Sequence, residues 1–147
     1  MDIKQMFGEL DKMLDENKAG VLACVDPQGV PRMRWMTAGT VRGQDGFLYS
    51  VTFPDAGKVP VLREKPKATW LFTAKNYRQV ISVTGTIQIV ENPNLLSTVI
   101  EALGRNLEAF WKLHNDPSEL VVIETVIEEI EIYHPGTGER ERSTVTA

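Results

Sequence analysis

The stretch VLACVDPQGVPRMRWMT, residues 21–37, contains two apolar-rich runs on either side of a D-P-Q-G segment. Pro27 presets φ for a tight turn and Gly29 tolerates a positive φ, so the stretch reads as a β-hairpin and the sheet it belongs to as antiparallel. Side chains in the second strand alternate between faces, which puts Arg32 and Arg34 on one side and Met33 and Trp35 on the other. Two guanidinium groups on one face of a half-buried strand call for a counter-charge. Either a carboxylate across the sheet or a bound anion would supply it.

Working outward, Ile3, Met6, Phe7, Leu10, Met13 and Leu14 recur at helical spacing, and Lys18 and Gly20 supply stop signals after them, so an amphipathic helix precedes the hairpin. After the hairpin comes a polar turn, VRGQDG (41–46), and then a third short strand, FLYSV (47–51). Pro54 and Gly57 interrupt the next segment; Lys58 to Lys65 fits a short helix that Pro66 ends. KATWLFTA and RQVISVTGTIQIVE form two more strands around a turn at Lys75 to Tyr77, with Gly85 a bulge position. Asn92 caps a helix with Pro93 in its first turn, and Leu96, Val99, Leu103, Leu107 and Phe110 make its apolar stripe. LVVIETVIEEIEIY is a long last strand, and the tail from Gly136 to Ala147 reads as mobile. This order gives a mainly β chain with helices (α+β), antiparallel and prone to curl into a barrel. It is expected to be one domain over 1–147, with 1–19 its N-terminal helix and 136–147 its mobile tail.

Composition narrows the function. The 147 residues are 42% hydrophobic and 24% charged, ordinary for a globular protein. No apolar run is long enough to span a bilayer and the N-terminus lacks the apolar block of a secretory signal, so a cytoplasmic protein without membrane contact is expected. A net charge of -4 with scattered basic residues argues against a nucleic-acid partner. The single Cys24 excludes an internal disulfide and any multi-cysteine metal site, and its setting in VLACVD is that of a packing residue. No phosphate-binding glycine loop of the parallel-sheet folds is present. His114 and His134 have no second ligand at metal spacing, so no metal site is expected and each reads as a surface or helix-end histidine. Glu128, Glu129 and Glu131 alternate with isoleucines in a strand, the pattern of a solvated outer face rather than an acid/base pair. No catalytic residue is assigned.

Taken in order, PRMRWMT, FLYSVT, the G-K at 57–58, EKPKATWLF and RQVISVTGTIQIVE resemble the pyridoxamine 5'-phosphate oxidase-like, FMN-binding split-barrel superfamily, most closely its general stress protein branch. The resemblance runs from about Gly20 to Pro135. It implies a six-stranded antiparallel split β-barrel of Greek-key type with flanking helices, a homodimer, and FMN at the subunit interface. Arg34, three residues after Pro31, holds the place of the family's phosphate-gripping arginine. Lys58, eight residues before Pro66, and Thr52, six residues earlier again, hold the places of its other phosphate ligands. Trp35, Met36, Thr37 and Val51 would run along the flavin, and Gln79 of R-Q-V would reach the cofactor from the other subunit.

The sequence also departs from the family's oxidases. Gly39 and Gly57 stand where those enzymes carry two further cations, and the tail offers Arg140 and Arg142 without their substrate-recognition motif. Vitamin B6 oxidation is therefore not implied. Arg32 is expected to be a solvent-side or dimer-contact residue, and Trp111 a core residue of the long helix or a border of the flavin groove. Three functions stay open: an FMN-dependent oxidoreductase acting on a small molecule, a stress protein that binds flavin or another cofactor (a deazaflavin or haem included) without turnover, and a cofactor-free dimeric interaction module.

Overall fold

A computed structural model of the chain describes residues 1–104 and 119–145. Its elements run α1 (Ile3–Glu16), β1 (Ala19–Val25), β2 (Pro31–Thr37), β3 (Phe47–Thr52), α2 (Lys58–Glu64), β4 (Lys67–Thr73), β5 (Val80–Val90), α3 (Pro93–Leu103), β6 (Val121–His134) and β7 (Glu139–Thr144). The expected Leu107, Phe110, Trp111 and His114 lie outside the described residues.

All pairings are antiparallel, and six strands follow the path β2-β1-β4-β5-β6-β3. The two ends of that path approach each other. Gly39 and Tyr49 exchange both backbone hydrogen bonds, at 2.9 and 2.8 Å, and the Ser50 hydroxyl donates to the Thr37 carbonyl. The sheet is thus curled and stitched at one short seam, the geometry of a split barrel.

The interior is filled by the inward residues of each strand. Leu22, Trp70, Phe72, Ile81, Val83, Ile123, Ile130 and Ile132 are all buried, and Met6, Leu10, Met13 and Leu14 of α1 pack into the same cluster. The stripe at helical spacing is what directs α1 there. Asp2 starts the helix: its carboxylate accepts from Gln5 N–H while the Gln5 side chain accepts from Asp2 N–H. A second cluster lies under α3, where Val99 and Leu103 pack against Tyr49, Val51, Leu120 and Val122. The α3 cap is as expected, with Asn92 accepting from Asn94 N–H and Leu95 N–H and Pro93 in the first turn.

Gly85 sits at the register shift between β5 and β6. A Cβ there would collide with the Val126 carbonyl oxygen, so the bulge needs glycine for close backbone approach. Gly20, by contrast, is not the helix stop expected of it. The helix closes at Asn17, Lys18 Nζ caps the Leu14 carbonyl at 3.1 Å, and Gly20 lies inside β1 opposite Met36, with the Phe72 ring occupying the space of a side chain.

The tail also differs from expectation. Residues 139–144 form β7, a seventh strand paired to the C-terminal half of β6 from Glu129 to His134. The reason is charge complementarity. Arg140 and Arg142 bond Glu131, Arg142 also pairs with Glu129, and Arg140 lies 4.2 Å over the Tyr133 ring. The glutamates of β6 therefore face outward as expected, and the tail supplies their partners; Glu128 bonds Lys67 and Thr86 instead.

Candidate functional site

The two arginines of β2 project toward the same side, and the structure separates them by partner. Arg32 lies opposite Cys24 and its Nε donates to Asp26 Oδ2 at 3.0 Å. Asp26 belongs to the hairpin turn; its other oxygen accepts the N–H groups of Gln28 and Val30 at 3.0 and 2.9 Å. These bonds, from Val30 first and then Arg32 and Gln28, hold the Asp26 carboxyl below the usual carboxylate range against the opposing effect of burial. Arg32 is a structural cation of the hairpin.

Arg34 is different. It pairs in register with Leu22, so it leaves β2 on the interior side, but β2 is the end strand of the sheet and the guanidinium emerges at the exposed rim. There it meets the start of α2. Arg34 Nη2 comes within 3.9 Å of the position a Cβ on Gly57 would take, and the next residue is Lys58. Lys58 is half-buried, with Val59 and Leu62 anchoring its helix to the core side. Burial first, and then the Arg34 charge, hold the Lys58 ammonium below the ordinary lysine range; Cys24, the smallest influence, acts the other way.

Among the described residues neither Arg34 nor Lys58 has a hydrogen-bond or ion-pair partner. Two cations brought together, one of them partly desolvated and no carboxylate between them, are costly unless an anion completes the arrangement. A guanidinium offers two parallel donors and an ammonium a compact charge, which together suit a phosphate. This is the choice the sequence left open: Arg32 takes the carboxylate, and Arg34 does not.

The other expected residues take separate positions. Thr52 ends β3, six residues before Lys58; it is buried, and its hydroxyl makes no hydrogen bond among the described residues. Val51 turns to the opposite side of β3 and packs in the cluster under α3. Met36 shares the face of Arg34 and is buried beside Gly20 of β1, while Thr37 offers its carbonyl to Ser50. Trp35 points from the outer face and is 72% exposed, next to Met33 at 73%. Gln79 lies at the end of the β4–β5 hairpin, away from this face, with its side-chain amide 3.4 Å from Glu9 Oε2. Within one chain, then, the structure brings Arg34 and Lys58 together and leaves Trp35 and Gln79 apart from them.

One contributor escaped the sequence reading. Asp26 decides which arginine is free, and the signal was present: an aspartate opening a D-P-Q-G turn six residues before Arg32, within reach across the hairpin. Among the described residues no group of histidine, cysteine, aspartate and glutamate is placed to hold a metal ion. No helix of the described residues is long and apolar enough to cross a membrane.

A family model for pyridoxamine 5'-phosphate oxidase matches residues 6–134. The chain belongs to this family. No curated protein matches it. Among solved structures it is similar to a Clostridium acetobutylicum protein related to general stress protein 26 of B. subtilis, with a TM-score of 0.72, 16% identity, and 97% of this chain and 96% of that one covered. It is also similar to a pyridoxamine 5'-phosphate oxidase-related, FMN-binding protein from Nostoc punctiforme PCC 73102, with a TM-score of 0.69, 14% identity and full coverage of both chains. An F420 reductase aligns with a TM-score of 0.65 and 17% identity, over 82% of this chain and 94% of that one. Likeness at these identities is one of fold.

Proposed function

We propose that this family member is a cytoplasmic FMN-binding protein and an FMN-dependent oxidoreductase acting on a small molecule. The observation that carries the reading is that Arg34 and Lys58 come together with no carboxylate partner among the described residues. Arg34 and Lys58 would grip the terminal phosphate, and the Thr52 hydroxyl would add a neutral donor. The backbone from Trp35 to Thr37 would lie along the ring system, with Gln79 reaching it from a second subunit; Val51, packed under α3, is left out of this arrangement. Bound flavin supplies hydride or single-electron transfer; the protein supplies position and electrostatics.

A homodimer with the cofactor between its subunits belongs to the same proposal. Trp35, Val21 and Leu71 stand directly across from one another on β2, β1 and β4, and Trp35 and Leu71 are exposed, as is Met33 beside them. Such a row of apolar side chains on an outer sheet face is suited to burial against another copy.

Binding without turnover is the second reading. What favours it is the make-up of the site: among the described residues, the charged and titratable groups that act on Lys58 are Arg34 and Cys24, and neither is an imidazole or a carboxylate. The test is direct. Purified protein should show a visible flavin spectrum and release FMN in acid. Repeated cycles of reduction by a nicotinamide donor and reoxidation would establish the oxidoreductase; stable bound FMN that never cycles would establish the binder. Protein that stays colourless after incubation with FMN would end both.

A further inference from the structure

The two cations of the site stand on different elements, Arg34 on the end strand β2 and Lys58 at the first turn of α2. Neither element holds its place by itself. Among the described residues β2 pairs along its length only with β1, being bonded to β3 just at its end through Thr37 and Ser50, and α2 is a helix of 7 residues, too short to be stable in isolation and held by Val59 and Leu62. Arg34 and Lys58 repel, so without restraint the edge strand would relax away from the helix.

One residue bonds both elements through groups other than the two cations. The Asp26 carboxylate, with its side chain only 12% exposed, holds Arg32 of β2 and the N–H groups of the turn. Its carbonyl oxygen accepts Lys65 Nζ at 3.3 Å, at the far end of α2, and Gly29 N–H at 2.9 Å. Lys65 is the residue that closes α2. We propose that Asp26 is a positioning residue for the anion site: it joins β2 to α2, so that Arg34 and Lys58 keep the spacing of a single phosphate while Arg32 is withheld from it. The inference rests on the reading that Arg34 and Lys58 grip the phosphate of FMN.

The chemistry sets how such a role differs from ordinary stability. A joint that places two cations affects the phosphate and nothing else of the ligand, whereas general loosening of the barrel affects all of it. The experiment titrates flavin-free protein with FMN and with riboflavin, which lacks the phosphate, following flavin fluorescence. Asp26→Ala should weaken FMN about tenfold, the worth of one well-placed charge-assisted hydrogen bond, and leave riboflavin unchanged. In an Arg34→Ala background the same substitution should cause no further loss, because the group being positioned is gone. Lys65→Gln, which cuts the tie to α2 and leaves the hairpin turn intact, should lower FMN affinity alone in the same way and carries the test if Asp26→Ala does not fold.

Equal losses for FMN and riboflavin would overturn the inference. So would unchanged FMN binding, and so would tighter binding, which would mean that the released Arg32 joins the site as a third cation. If the unsubstituted protein binds FMN and riboflavin equally, the phosphate reading itself falls, a result separate from any effect of Asp26.

Discussion

Replacing Arg34 by alanine should move stability and ligand affinity in opposite directions. In the protein without ligand, Arg34 contributes no ion pair among the described residues and adds to the positive field on Lys58. For unit charges about 6 Å apart at an effective dielectric of roughly 40–80, the repulsion is about 0.7–1.4 kcal/mol. The guanidinium is exposed and salt screens it, so the net relief is about 0.5 kcal/mol or less. Arg34→Ala is therefore expected to leave the urea midpoint of the flavin-free protein unchanged or slightly raised, and to let the Lys58 ammonium return toward its ordinary range. FMN affinity should fall by about 1.5–3 kcal/mol, the cost of losing a hydrogen bond between charged partners, which is about 10- to 150-fold in Kd. Chemical unfolding and fluorescence titration on the same preparation give both numbers. Unaltered FMN affinity would refute the assignment. A loss of more than about 1 kcal/mol of stability without ligand would refute it differently, by showing that Arg34 satisfies a structural partner.

Three further outcomes follow from other parts of the fold. Gly85→Ala forces a Cβ against the Val126 carbonyl and should cost about 2 kcal/mol or more in denaturant unfolding. Tyr77 sits at φ 58 in the β4–β5 turn with its ring exposed, so Tyr77→Gly should gain about 0.5–1 kcal/mol in the same assay, the strain relieved being offset in part by a freer unfolded chain. Hydrogen bonds from Arg142 and Arg140 hold the Glu131 carboxyl below its usual range. A carboxyl depressed in the folded state stabilises it above the unfolded value and loses that effect as pH falls through the folded one, so β7 should loosen below about pH 4 while the barrel persists. Amide exchange at 139–144 reads this directly, and Glu131→Gln should produce the same loosening at neutral pH.

What the sequence disclosed was local. The 21–37 hairpin, the Asn92–Pro93 cap and the Gly85 bulge each depend on residues close together in the chain, and their signals are of the kind that neighbours decide. β7 was hidden because E-R-E-R-S-T puts polar side chains on both faces; its strand character comes from the glutamates of β6 waiting opposite, not from an apolar period. Gly20 looked like a helix stop because the space it vacates is filled by Phe72, 52 residues away. The site was half legible. Alternation put Arg32 and Arg34 on one face, but only the fold shows that Asp26 reaches the first and the start of α2 reaches the second. In the same way the alternation of β3 separates Val51 from Thr52, and which of them turns toward α3 depends on where that helix lands.

The division of labour between neighbouring arginines makes architecture and recognition separately heritable. Arg32 is tied to hairpin integrity, so its replacement is felt by every copy of the chain whether or not a ligand is nearby. On the proposed reading, Arg34 answers to the ligand alone. A descendant that had abandoned its cofactor could shed the second guanidinium without disturbing a single backbone pairing, and its outline would still superimpose on that of a working relative. If Arg34 does grip a phosphate, the charge at that one rim position would separate a cofactor-binding member from one that has lost its cofactor more sharply than any overlay of coordinates.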